Sequence, residues 1–266
     1  MKKPVLLIML ALWLFLTFSV MAETPPPQSF ESPEDALIFF AQKVSEGDLE
    51  AALSAMDAKA AAENGDYRAL AELIQAIMPS SSLILPEEYA EYVPLNESRI
   101  RAQQGQQLYG FVLSLLVPEY TSLNTPLMIK DGMIQFPGGG GSMSLDDFIA
   151  RLNPKNLSAL TLRQIFRLDN ALYHSETNRA NIKKQGAIFG FNEQIDMLAI
   201  YELNGQLYRH ACTAVERPGG WQLSGLNSPL IGTDAMGNAE PITQEEADAL
   251  LHSDDYLLFY DIIFND

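Results

Sequence analysis

The dipeptide Asn204-Gly205 constrains this chain more than any other feature, because it separates two runs rich in Ile, Val, Tyr and Leu, residues 195–203 and 206–216. Asn-Gly is the favoured pair of two-residue type I′ hairpin loops, in which both central residues need positive φ. A loop of two residues sets the register: Leu203 opposes Gln206, Tyr201 opposes Tyr208, Ala199 opposes His210 and Met197 opposes Cys212. Side chains alternate with period two, so one face carries Ile195, Met197, Ala199, Tyr201 and Leu203 beside Tyr208, His210, Cys212 and Ala214. The other face mixes Asp196, Glu202, Arg209 and Thr213 with Leu198, Ile200 and Val215. The first face is therefore expected to be the core side and the second only partly covered. Pro218-Gly219-Gly220 turns the chain into a third strand; with Glu216 opposite Trp221, Leu223 joins Ala214, Gly225 joins Cys212 and Asn227 joins His210. An antiparallel meander with one apolar side needs helices against it.

The chain before the meander supplies them. Ser32-Pro33-Glu34-Asp35 reads as a helix start, with Ser as cap, Pro in the first turn and acids at the positive end of the dipole. Ala36, Leu37, Phe40, Ala41 and Val44 form the buried stripe, Gly47 ends the helix, and Asp48 caps a second one whose Leu49, Ala52, Leu53 and Met56 face inward. Residues 66–78 predict another helix. The longest is expected from Asn96 and Arg99 to Val117, with Gln103, Gln104, Gln106 and Gln107 on its solvated side. Residues 82–95 read as a loop, Asp131-Gly132 as the turn of a short second hairpin, and Ser144 as the cap of a helix over 145–151. Thr243-Gln244-Glu245-Glu246 is a capping box opening a helix through Leu251, and 256–264 is a terminal strand or helix. The glycine run 138–141 continues into Ser-Met-Ser and lacks the Gly-Lys-Ser/Thr of a phosphate loop, so it is read as a connector.

Before all of this, Lys2 and Lys3 precede an apolar run from Pro4 to Ala22 that ends in Val20-Met21-Ala22 and is followed by a proline-rich stretch, which is the layout of a secretory signal peptide. Cleavage after Ala22 is expected; the competing reading is an uncleaved membrane anchor, since a span needs about 20 residues. Residues 23–31 then form a tether and 32–266 one α+β domain. The expected product is secreted or periplasmic, with no transmembrane segment in the mature chain. Loss of residues 1–22 removes Lys2 and Lys3 but no acid, leaving 15 basic against 34 acidic residues, a net charge of −19. A surface this acidic makes nucleic acid a poor partner, because binding phosphates needs counter-charge. The single cysteine, Cys212, excludes an internal disulfide and, on the apolar face, is expected to be a buried inert thiol.

The stretch SPEDALIFFAQKVSEGDLEAALSAMD (32–57), together with the long hairpin, the Gly-Gly-Trp turn and the last strand (187–227), resembles the nuclear transport factor 2-like, or cystatin-like, superfamily. The stretch between them, about 58–186, is longer than the family pattern and reads as a large, mostly helical insertion. More loosely, the mature chain resembles exported bacterial proteins. The resemblance implies a cone in which a curved antiparallel sheet wraps helices around a pocket, used by some members as an isomerase or dehydratase site and by many as a binding or assembly surface. Members that transfer protons use pocket carboxylates, histidines and tyrosines. The inward face here offers Tyr201, Tyr208, His210 and Asn227 but no acid, and Asp196 falls on the other face, which puts catalysis in doubt.

One charge anomaly stands apart. Residues 151–184 hold Arg151, Lys155, Arg163, Arg167, Arg179, Lys183 and Lys184 against only Asp169 and Glu176. This segment either docks on the acid-rich remainder or forms a solvated helix face; alternatively Arg163 and Arg167, read as one helical turn apart, clamp a carboxylate or sulfate. His252 beside Asp254 and Asp255 matches no metal-ligand spacing, and HExxH, GxSxG, CxxC and Walker patterns are missing, so neither metal nor cofactor is expected. The favoured function is a non-catalytic exported binding or accessory protein for a small molecule, with a homodimer as an option. The rivals are an isomerase, dehydratase or hydrolase using Tyr201, Tyr208 and His210, and a structural partner of the cell envelope.

Overall fold

A computed structural model of the chain describes residues 27–77, 91–119, 128–136, 141–232 and 236–261. The leader reading of 1–22, most of the loop expected at 82–95, the glycine run 137–140 and the last five residues lie outside the described residues.

The register set by Asn204-Gly205 is the one observed. Asn204 and Gly205 both take positive φ, 53° and 83°. Strands β5 (Glu193–Leu203) and β6 (Gln206–Arg217) pair from Leu203↔Gln206 through Ala199↔His210 to Glu193↔Glu216. Around this hairpin runs a six-stranded antiparallel sheet in the order β7 (Gly220–Gly225), β6, β5, β4 (Thr161–Leu168), β9 (Tyr256–Asp261), with β8 (Glu240–Ile242) also on β6. The architecture is α+β.

The inner face is covered as expected by α1 (Pro33–Ser45), α2 (Leu49–Ser54) and α5 (Tyr92–Leu116), whose apolar side chains share one core with Ile195, Met197, Ala199, Tyr201, Tyr208, Cys212 and Leu223. The caps read from sequence are in place: Ser32 accepts from the Asp35 N–H, Asp48 from Ala51, and Thr243 and Glu246 make both bonds of a capping box. The outer face buries a smaller cluster of Phe166, Leu198, Ile200 and Ala211 beneath Ile242 and Ala247 of the β8–α8 strap, α8 being Gln244–Leu250. The free side of β7 is closed by the chain entering α1, where Phe30 and Trp221 exchange backbone hydrogen bonds of 3.0 and 2.8 Å. The end of the expected tether is therefore docked.

Four expectations are corrected. Residues 161–168 are a strand, so Arg163 and Arg167 are not a helical turn apart, and β4 places part of the 58–186 stretch between β5 and β9 of the main sheet. That stretch also holds a small sheet of β1 (Met128–Lys130), β2 (Met133–Gln135) and β3 (Ser142–Ser144) beside its helices α3 (Ala58–Asn64), α4 (Tyr67–Ile77), α6 (Leu145–Arg151) and α7 (Glu176–Phe189). A register shift sets Gly225 opposite Thr213 in place of Cys212, and β7 stops before Asn227 can reach His210. The longest helix begins at Tyr92, with Pro94 in its first turn where a missing N–H costs nothing. Finally, Gln104 and Gln107 are buried: Gln104 donates to Asp57 Oδ1 (2.8 Å), while Gln107 donates to Asn227 Oδ1 (3.0 Å) and accepts from the Leu226 N–H (3.0 Å). Burying a carboxamide is tolerable only with such partners.

Asp57 sits on a buried ion pair. Arg217, at the end of β6, donates from Nε (3.0 Å) and Nη2 (2.5 Å) to Asp57 Oδ2, and from Nη1 to the carbonyls of Phe189 (2.7 Å) and Gly190 (3.0 Å); both side chains are 3% exposed. The turn supplying those carbonyls needs glycine: Gly190 has φ 72°, and a Cβ there would meet the Asn64 carbonyl oxygen at 2.2 Å. Removing one member of such a pair strands a buried charge. Asp57→Ala is expected to lower the urea-unfolding free energy by roughly 3–5 kcal/mol, and Asp57→Leu with Arg217→Met to recover part of it; a single variant as stable as the parent would contradict this role.

Candidate functional site

The inner face of the sheet, where a pocket was expected, is filled. Tyr201, Tyr208, His210 and Cys212 are all buried there. Phe111, from the apolar half of α5, covers them, with its ring centroid 4.4 Å from that of His210 and 5.2 Å from that of Tyr201. His210 Nε2 lies 3.1 Å from the Leu226 carbonyl oxygen. A carbonyl can only accept, so Nε2 carries the proton and Nδ1 is the bare acceptor. Both His210 Nδ1 and Tyr201 Oη are buried without a hydrogen-bond partner among the described residues. Burial pushes the His210 pKa down to about 4, against the opposing pull of the Leu226 and Gly237 carbonyls, so the imidazole is neutral near neutrality. Burial likewise drives the Tyr201 hydroxyl and the Cys212 thiol upward, away from their reactive anions.

The other sequence candidates fall apart in space. Asp196 is buried on the outer side of the hairpin, accepting from Thr213 Oγ1 at 2.9 Å, and does not serve His210. Asn227 is half-buried and engaged by Gln107, while its backbone carbonyl accepts from Thr213 Oγ1. Arg163 pairs with Glu202, whose neighbours Tyr201 and Leu203 point into the core, so this pair lies on the outer face. Arg167 instead reaches across the inner side to Glu34 at the start of α1 and lies over the Phe259 ring, 3.7 Å from its centroid. The two guanidiniums therefore project from opposite faces of β4 and cannot clamp one ligand. Among the described residues no group of three or more His, Cys, Asp or Glu converges as metal ligands, and no helix is long and apolar enough to cross a membrane.

Open space lies elsewhere. A cleft of about 640 Å³ is framed by the α3–α4 region (Ala61, Tyr67, Leu70), the first half of α5 (Asn96, Arg99, Ile100, Gln103), α7 (Gln185, Ile188, Phe189) and the sheet (Gln194, Val215). Asp57 and Arg217 line it from below. Sequence reasoning missed this cleft because its walls come from four separate elements; the one hint was Asp57, a charge between the apolar Ala55-Met56 and Ala58.

With this geometry in hand, the chain can be set beside known proteins. No family model matches the sequence, and no curated protein matches it. Among solved structures it is similar to the crystal structure of a cystatin-like protein from Ruminococcus gnavus ATCC 29149, with a TM-score of 0.50 and 17% identity. The fold is of the nuclear transport factor 2-like, cystatin-like class. The match covers 86% of this chain and 45% of that one, so the chain spans under half the length of the protein it resembles.

The depressed pKa of His210 has a measurable consequence. The folded value, about 4, lies below the ordinary 6.5, so between these values the unfolded chain binds the extra proton and stability falls as pH falls. From about pH 7 to about pH 5 this group alone is expected to remove about 2 kcal/mol of unfolding free energy. His210→Phe, which keeps the ring contact with Phe111, should flatten the pH dependence by that amount in urea titrations; an unchanged slope would show that His210 is not buried neutral.

Proposed function

We propose that this chain is an exported, non-catalytic binding protein whose ligand occupies the cleft between α4, α5, α7 and the sheet, and not the interior of the cone. The cleft volume carries this reading: about 640 Å³ falls within the range of small-molecule sites, roughly 300–1,000 Å³. Its lining mixes apolar residues such as Leu70, Ile100, Phe189 and Val215 with polar ones such as Arg99 and Gln103. Export is supported by the charged head, apolar middle and small-residue exit of residues 1–22. The enzymatic alternative on Tyr201, Tyr208 and His210 finds less support, since His210 has a carbonyl on one nitrogen, no partner among the described residues on the other, and a ring packed against Phe111. Native mass spectrometry of the mature protein purified from its own host tests the binding reading. A small molecule retained one-to-one, and lost in Gln103→Trp, whose indole would fill the mouth of the cleft from an exposed position, is the expected result. A ligand that stays bound to that variant would place it elsewhere.

One observation favours a second reading, association with another chain of the cell envelope or with a second copy. Among the described residues, strand β9 forms an outer edge of the sheet, and its Leu257, Leu258 and Phe259 are 51%, 38% and 50% exposed. Unpaired apolar edges recruit further strands. Sedimentation at increasing concentration should show self-association that Leu258→Lys abolishes; a monomer at all concentrations would remove the homodimer option.

A further inference from the structure

We infer that the cleft is built for an amphipathic monoanion, with its head group paired to Arg99 and its apolar body along Ile100, Phe189 and Val215; this rests on the cleft being the binding site proposed above. The charge arrangement decides the class. Two carboxylates line the cleft among the described residues: Asp57 is ion-paired with Arg217 and accepts from Gln104, and Asp66 caps α4, where Oδ1 accepts from the Ala69 N–H at 2.9 Å while the exposed carboxylate keeps its charge. Arg99 is different. Two residues along the same helix, Arg101 pairs with Glu50 at 2.7 Å, whereas Arg99 has no carboxylate partner among the described residues. Its charge is close enough to the cleft wall to act on the Tyr67 hydroxyl. On a chain of net charge −17, a cleft lined by Arg99 and Arg217 as well as Asp57 and Asp66 is less acidic than the chain as a whole.

The rest of the lining narrows the choice. Arg217 makes four hydrogen bonds through its five N–H groups and is held by Asp57 and the Phe189 and Gly190 carbonyls, which leaves Arg99 as the exposed guanidinium of the cleft. Gln103 and Gln185 add carboxamides, which serve oxygen-bearing head groups without a charge preference of their own. A cationic ligand would find one carboxylate without an ion-pair partner among the described lining residues, Asp66, and that one is engaged in capping α4. A wholly apolar ligand would strip water from Arg99 and the carboxamides with nothing in exchange, which is costly. Among the described lining residues, a dianion would meet one cation that has no carboxylate partner. Phe189 is 38% exposed, an apolar surface that a ligand tail would bury.

Three probes of equal chain length separate these cases: decanoate, decanol and decyltrimethylammonium, each titrated below its micelle concentration against the full mature chain by calorimetry. Decanoate is expected to bind most tightly and the cation least. Arg99→Gln, an exposed substitution that removes only the charge, should weaken decanoate about five-fold and leave decanol unchanged, the scale of a partly exposed ion pair. Raising salt from about 0.05 M to about 0.5 M should reduce the same preference. Decanol binding as tightly as decanoate, a preference for the cation, or an Arg99→Gln variant with unaltered decanoate affinity would each overturn the monoanion assignment while leaving the cleft as a site. Binding of none of the three, or binding that survives Gln103→Trp, would overturn the cleft itself and the assignment with it.

Discussion

The structure depends on the ion pair between Asp57 and Arg217. One carboxylate and one guanidinium, both out of water, join the end of β6, the start of α3, the middle of α5 through Gln104, and the α7–β5 turn through the carbonyls of Phe189 and Gly190. Pairs of this kind contribute little net stability, because desolvating two charges offsets most of their attraction. Their effect is on arrangement. A sheet end and three helices that could pack in several ways are held in the one in which every donor and acceptor of the pair is matched, and the polar floor this creates prevents the surrounding helices from closing over it as an oily contact.

Open space lies beside this ion pair and not on the inner face of the sheet. The inner face of the sheet is occupied by Phe111, edge-on to Tyr201 and tilted against His210, so the histidine is a neutral core residue with one nitrogen unmatched among the described residues. A proton-transfer site needs a base within reach of a substrate and a partner to orient it. Here Asp196 is separated from His210 by the sheet itself, bonded to Thr213 on the opposite face. The cleft beside the sheet, by contrast, combines volume, apolar walls and groups that can still donate.

Three of the seven basic residues of the segment 151–184 pair with acids of the remainder of the chain. Arg151 meets Glu119, Arg163 meets Glu202 and Arg167 meets Glu34. Exposed pairs of this sort are worth little individually. The Arg167–Glu34 pair differs in that Glu34 is buried, so it ties the first turn of α1 to β4 while the same guanidinium lies on Phe259 of the next strand. Three elements distant in sequence thereby meet at one side chain.

What the sequence by itself determined are the features that a few neighbouring residues decide. Asn204-Gly205 admits the left-handed conformations of a type I′ turn and so sets every pairing of β5 with β6; Ser32, Asp48, Ser144 and Thr243 cap helices because a side-chain oxygen reaches an N–H three residues on. The burial of Cys212 followed from that register. Only the tertiary structure decided that Gln104 and Gln107 face inward, since their partners lie 47 and 120 residues away, and glutamines look solvated until a buried acceptor is found for them. It also decided that 161–168 is a strand between β5 and β9, that a shift at Thr213 separates Asn227 from His210, and that Phe111 fills the inner face. Each of these is an outcome of long-range packing, in which buried area and matched polar groups outweigh local preference.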